Sequence, residues 1–96
     1  MITGKQRAYL RSMSNSLETI FQIGKGGITE EICHQLNNAL EARELVKARV
    51  LDNSGWTAKE AANAIAEHIG AEVVSVTGSK FVLYKESVNK KRIELI

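Results

Sequence analysis

No proline and a single cysteine occur among these 96 residues, and both shortages constrain the chain. Without proline there is no rigid break at which to divide it, and no window is low in complexity or repeated. One domain spanning residues 1–96 is therefore expected. Cys33 has no partner for an internal disulfide, and its place in an amphipathic stretch predicts a buried thiol in a reducing compartment. Long apolar runs are also missing. The opening MITGKQRAYL does not read as a signal peptide, and nothing approaches the roughly 18 apolar residues of a membrane-spanning helix. A soluble cytoplasmic protein with no membrane partner is the expectation. Aromatic residues number five (Tyr9, Phe21, Trp56, Phe81 and Tyr84), so the core must be built mainly from Ile, Leu, Val and Ala.

The residue sets that catalysis requires are absent too. No nucleophile stands with a base, and no cluster has the spacing of metal ligands. Cys33 and His34 are neighbours on a helical stretch and point about 100° apart around its axis, while His68 is isolated between Glu67 and Ile69. The expectation is a non-enzyme with no cofactor, no metal and no small-molecule substrate.

A net charge of +2 conceals strong segregation. Lys5, Arg7, Arg11 and Lys25 face one acid, Glu18, over residues 1–29, whereas residues 30–44 carry Glu30, Glu31, Glu41 and Glu44 against Arg43. Lys47 and Arg49 follow, then an acidic stretch over 52–79. The end is basic again, with Lys80, Lys85, Lys90, Lys91 and Arg92.

Periodicity places a helix over residues 4–13 and a strand over 17–23, with Thr19, Phe21 and Ile23 on one face. Thr29 is set to cap a second helix running to about residue 43, with Ile32, Leu36, Ala39 and Leu40 buried. LVKARVL, residues 45–51, alternates Val46, Ala48 and Val50 against Lys47 and Arg49, the pattern of a half-buried strand with a basic open face. Thr57 and Glu60 form a capping box for a third helix that stops at Gly70. Residues 72–86 form a hairpin around Thr77-Gly78-Ser79. Helical crossovers between the early strands predict parallel pairing, and the hairpin adds an antiparallel neighbour. The sum is an α/β domain of order α-β-α-β-α-β-β with a four-stranded mixed sheet.

Gly24-Lys25-Gly26-Gly27 joins the first strand to a helix start, where glycines let backbone approach a ligand and free amides can face an anion. The run also fits a connection that needs only positive φ angles. Glu30 and Glu31 would repel a phosphate from the helix terminus itself, so contact must come from the loop backbone and Lys25. The GxxxxGK[ST] spacing of a P-loop is absent. Lys47 and Arg49 alone read as a solvated surface, but several basic elements on one small domain form the footprint of a nucleic-acid binder. Phe81 and Tyr84 read as core. Lys90-Lys91-Arg92, in a basic C-terminal tail over 87–96, suits either phosphate contact or a solubilising end.

Four stretches together resemble one family. Thr3, Lys5, Gln6, Arg7, Leu10 and Arg11 match T-x-K-Q-R-x-x-L-R, and Gly24, Gly27, Ile28 and Thr29 match G-x-x-G-[LI]-T. Ala39-Leu40-Glu41 with Glu44-Leu45-Val46-Lys47-Ala48-Arg49-Val50 resembles A-L-E…E-L-[IV]-K-[VA]-[KR]-[VI]. Gly78 with Phe81-Val82-Leu83-Tyr84-Lys85 resembles G-K-x-[FL]-V-L-Y-[RK], although Lys80 lies two residues after the glycine rather than next to it. The chain is thereby similar to the YhbY family, the stand-alone bacterial form of the chloroplast RNA-splicing and ribosome-maturation (CRM) domain.

The resemblance implies a two-layer α/β sandwich similar to the C-terminal domain of translation initiation factor three. It also implies RNA binding and association with precursors of the large ribosomal subunit. The loop resembles the G-x-x-G loop of KH domains, which clamps the nucleic-acid backbone. That role falls on Gly24, Lys25, Gly26 and Gly27, with Lys5, Arg7, Arg11, Lys47 and Arg49 supplying attraction. The expected partner is ribosomal RNA of the large-subunit precursor, bound by a monomer. The alternative is a protein-interaction module whose acids Glu30, Glu31, Glu41 and Glu44, or whose sheet edge, dock a ribosomal protein or an assembly GTPase without touching RNA.

Overall fold

Three threonines set the helix starts. Thr3, Thr29 and Thr57 have extended backbones, and each side-chain oxygen accepts the N–H of the residue three further on, at Gln6, Ile32 and Glu60. Each such bond satisfies a donor that the first helical turn leaves free. Gln6 and Glu60 reach back to the cap N–H of Thr3 and Thr57, completing capping boxes. The helices run Gly4–Ser14 (α1), Glu30–Arg43 (α2) and Ala58–Ile69 (α3) in the computed structural model. It describes residues 2–95; Met1 and Ile96, the outermost residues of the expected domain and of the expected tail, lie outside the described residues.

The strands are Thr19–Ile23 (β1), Leu45–Val50 (β2), Glu72–Thr77 (β3) and Lys80–Tyr84 (β4), with a 3₁₀ turn at Asp52–Ser54. The architecture is the expected α/β arrangement of three helices and a mixed four-stranded sheet. Its strand order is β1-β2-β4-β3, with β1 parallel to β2 and β4 antiparallel to both of its neighbours. The crossover through α3 therefore does not make β2 and β3 neighbours, as the run of helices suggested; β4 lies between them. Phe81 to Tyr84 explain why, since all four are buried and β4 has apolar side chains for both faces of the sheet. β3 carries exposed Val76 and Thr77 and takes the edge.

The register of β1 also departs from simple alternation. A bulge between Thr19 and Phe21 pairs Thr19 with Lys47 and Phe21 with Ala48, so Thr19 does not share the face of Phe21 and Ile23.

One face of the sheet, built from Ile23, Val46, Ala48, Phe81 and Leu83, packs against Leu36 and Leu40 of α2 and Ala61, Ala62 and Ile65 of α3. The alanines let α3 lie close. Cys33 is buried in this cluster, and burial pushes its thiol above the ordinary value, with Glu30 adding to the shift. On the opposite face Leu10 of α1 joins Ile2, Leu45, Val74, Val82, Tyr84 and Ile93. Full burial of a Leu or Ile contributes about 1.5–3 kcal/mol, so Leu10 alone is a substantial anchor. Phe81 and Tyr84 are core residues, as expected, on opposite faces.

α1 covers only part of its face. Near the C-terminal ends of β1 and β2 this face leaves Gln22, Thr77 and Lys80 exposed and Lys47 and Arg49 half-buried.

Candidate nucleic-acid interface

Three loops meet at that end. The β1–α2 loop begins at Gly24, and the exit of β2 is tied to it because the Leu51 N–H donates to the Ile23 carbonyl at 2.9 Å. The β3–β4 turn joins them through the Val50 N–H, which donates to the Ser79 carbonyl at 2.8 Å.

The β1–α2 loop is a tight turn closed by the Gly27 N–H on the Gly24 carbonyl at 2.8 Å. Lys25 and Gly26 form its exposed tip. Gly27 has φ +68°, and a Cβ there would come within 3.2 Å of Trp56 Nε1, so the fold itself requires glycine at 27. Gly26 is different. Its φ is not positive, and a Cβ there would meet nothing within 4 Å. Neither internal packing nor backbone strain calls for a glycine at 26, so the position is open to solvent. The α2 terminus behind the loop is already taken, by the Thr29 side chain and by Glu30 and Glu31 in the first turn.

Strand register assembles a polar surface next to this loop. Gln22 pairs with Arg49, Arg49 with Lys80, and Lys80 with Thr77, a straight row across all four strands. A second row, one step nearer α1, runs Thr19, Lys47, Val82 and Ser75. Arg11, Ser14 and Asn15 at the end of α1 close a cleft of about 340 Å³ with Lys47, Lys80, Ser75 and Thr77, and no acid lines it. Arg49 Nε is buried and has no hydrogen-bond partner. Among the described residues the one ion pair is Lys91 with Glu86, at 3.1 Å, so Arg11, Lys25, Lys47, Arg49 and Lys80 have no carboxylate partner.

Most of the residues expected at an RNA site thus come to one end of the sheet: Gly24, Lys25, Gly26 and Gly27 in the loop, and Arg11, Lys47 and Arg49 on the adjacent face. Lys5 and Arg7 do not join them. The Arg7 Nε donates to the Val73 carbonyl at 3.1 Å, which fastens α1 to β3, and Lys5 lies at the far end of α1 on its exposed side. The sequence reading missed Lys80, Ser75, Thr77 and Asn15, whose place depends on β4 pairing with β2. It also passed over Trp56, flagged only by its position between Gly55 and the Thr57 capping box.

The acids divide in a way that bears on protein docking. Glu44, at φ +65° and fully buried, accepts backbone N–H groups from Ser87 at 2.8 Å, Ile93 at 2.6 Å and Arg92. Burial pushes its carboxyl upward, but those three donors outweigh burial and Lys91 adds attraction, so the group sits below its ordinary value. Glu41 accepts the Ser87 hydroxyl and the N–H groups of Val88 and Asn89, which together lower it to about 2. Both carboxylates are thus consumed in holding residues 87–93 against α2. Arg92 Nε adds a bond to the Ala42 carbonyl at 2.8 Å, and Ile93 is buried. Glu41 and Glu44 are not free acids for an outside protein, and the basic stretch after 87 is docked along α2.

His34 and His68 are exposed. No helix is long and apolar enough to cross a membrane among the described residues.

Comparison with known proteins gives a consistent result. Residues 2–85 match the CRS1/YhbY (CRM) domain family. A Bacillus subtilis (strain 168) protein named probable RNA-binding protein YqeI is 44% identical over 95 residues, covering 99% of each chain. An RNA-binding protein of Haemophilus influenzae is 30% identical over 90 residues, covering 94% of this chain and 91% of its own. The solution structure of the Staphylococcus aureus protein SAV1595 superposes with a TM-score of 0.82 at 48% identity, covering both chains fully.

Proposed function

The chain belongs to the CRS1/YhbY (CRM) domain family, and from that membership and the geometry of the open sheet end we propose that it binds RNA through its glycine loop and adjacent basic row. The names of its relatives support RNA as the ligand. Gly26 carries the reading at the loop: the fold leaves that position bare and open, beside an exposed lysine. An RNA phosphate can reach the loop backbone there in the KH-like manner, with Lys25 as its charge. Arg11, Lys47, Arg49 and Lys80 then line the path of the neighbouring phosphates, with Ser75 and Thr77 as neutral donors. In the finer form of this proposal the RNA belongs to the precursor of the large ribosomal subunit, and the protein assists subunit assembly in the cytoplasm without itself being an enzyme. The family resemblance supports that form.

A salt titration of binding to a structured ribosomal RNA fragment tests the contact. Five neutralised phosphates, one for each of these cations, predict a log–log slope of roughly −3.5 to −4.5. The double variant Lys25→Glu, Gly26→Asp folds normally, because position 26 is open, and weakens binding at least tenfold. Unchanged affinity in that variant refutes the loop as the contact. Crosslinking in cells and sequencing of the bound RNA tests the ribosomal form, which fails if large-subunit precursors are not enriched.

A further inference from the structure

We propose that Trp56 is a stacking platform for one unpaired RNA base, the base belonging to a nucleotide whose backbone is seated on Gly24–Gly27; this rests on the loop contact proposed above. The indole and the loop form one surface. The pyrrole edge lies against Gly27, with Nε1 at 3.2 Å and Cδ1 at 3.7 Å from the place a Cβ would occupy.

The backbone that carries the platform is also held still. The Trp56 N–H donates to Ser54 Oγ at 3.1 Å, the Ser54 hydroxyl donates back to the Trp56 carbonyl at 3.3 Å, and Gly55 between them turns through φ +80°. Thr57 then starts α3 with its capping box. Only the two side-chain torsions of the ring remain to be ordered by a ligand.

Its exposure sets it apart from the other aromatics. Trp56 is 37% exposed, whereas Phe81 and Tyr84 are buried and Phe21 and Tyr9 pack against the two cores. A ring left open beside a backbone seat is the arrangement that captures a base, since every base offers a π face whatever its sequence. A nucleotide with its phosphate on the loop carries its base within reach of that ring. In a duplex the base faces are already stacked on their neighbours, so the occupant is an unpaired base.

The chain has one tryptophan, so selectively excited tryptophan emission reports on Trp56 alone. A single-stranded oligoribonucleotide should quench the emission with the same midpoint as binding followed by anisotropy of a labelled strand. Inorganic polyphosphate and duplex RNA should bind with little quenching. Trp56→Ala should lower single-strand affinity about 5- to 150-fold and leave duplex affinity and the salt slope unchanged, while Trp56→Phe retains most of the binding. Equal quenching by polyphosphate, or single-strand affinity in Trp56→Ala equal to the parent chain, overturns the stacking role and leaves the loop contact standing. Parent affinity in Lys25→Glu, Gly26→Asp, or no RNA binding by the parent chain, overturns the loop reading and the platform with it.

Discussion

Replacing Glu44 with alanine tests how the C-terminal segment is held. The carboxylate satisfies the N–H groups of Ser87, Arg92 and Ile93, and it is itself fully buried. An orphaned buried donor costs about 1–3 kcal/mol, so keeping the segment docked without Glu44 would cost several kcal/mol. The segment has a cheaper route, which is to let go and hydrate. It then forfeits mainly the burial of Ile93, about 1.5–3 kcal/mol, and regains chain entropy. The smaller cost governs, and Glu44→Ala should lose about 1–3 kcal/mol. Glu44→Gly should lose about 1 kcal/mol less, because position 44 has φ +65° and glycine adopts that conformation without strain. Urea unfolding at pH 7 measures both differences, and amide exchange at Ser87 and Ile93 shows whether the segment has detached. Stability within about 0.5 kcal/mol of the parent, with those amides still protected, refutes the anchoring role of Glu44.

Two further outcomes follow from the same geometry. Glu41 and Glu44 are held below their unfolded values, so their contribution is complete above about pH 4.5 and is lost as pH falls, for Glu41 through about pH 2. Amide shifts of Ser87, Val88 and Asn89 should stay constant from pH 7 to about pH 5 and change below it, and detachment already at pH 6 contradicts this. Arg49→Met removes a buried donor that has no acceptor, so it should raise stability by about 1 kcal/mol while weakening RNA binding and reducing the salt slope by about one phosphate. A variant that is both less stable and equally tight in binding contradicts the place given to Arg49.

Features legible in the sequence were those whose cause is local. Thr3 apart, the helix caps could be read because a threonine followed by Glu60, or preceding an apolar stripe, is written within four residues. The alternation of Val46, Ala48 and Val50 against Lys47 and Arg49 was equally local. What could not be read depends on pairing between distant segments. Lys80 faces Arg49 only because β4 enters the sheet between β2 and β3, and Arg7 leaves the basic group only because the Val73 carbonyl lies beside it. Glu41 and Glu44 looked like surface acids of an amphipathic helix. Their partners are backbone amides more than forty residues away, with no signature in side-chain pattern.

That last pairing bears on charge as well as stability. Lys and Arg number 13 against 11 acids, a near balance that would ordinarily let a small domain neutralise itself with surface pairs. Here two of the acids are spent on backbone N–H groups of the C-terminal segment, and Glu30 and Glu31 stand at the start of α2. The cations of the sheet end are left with hydroxyls, an amide and one another for company. Like charges brought together without counterions cost stability, and a fold that keeps them so gains only when an anion arrives. Arg49 and Lys80 lie side by side on adjacent strands, with Lys47 in the next row and Arg11 at the end of α1, beside a loop that is open at Gly26. A polyanion that can lay successive charges along both the rows and the loop relieves that repulsion more completely than any single phosphate.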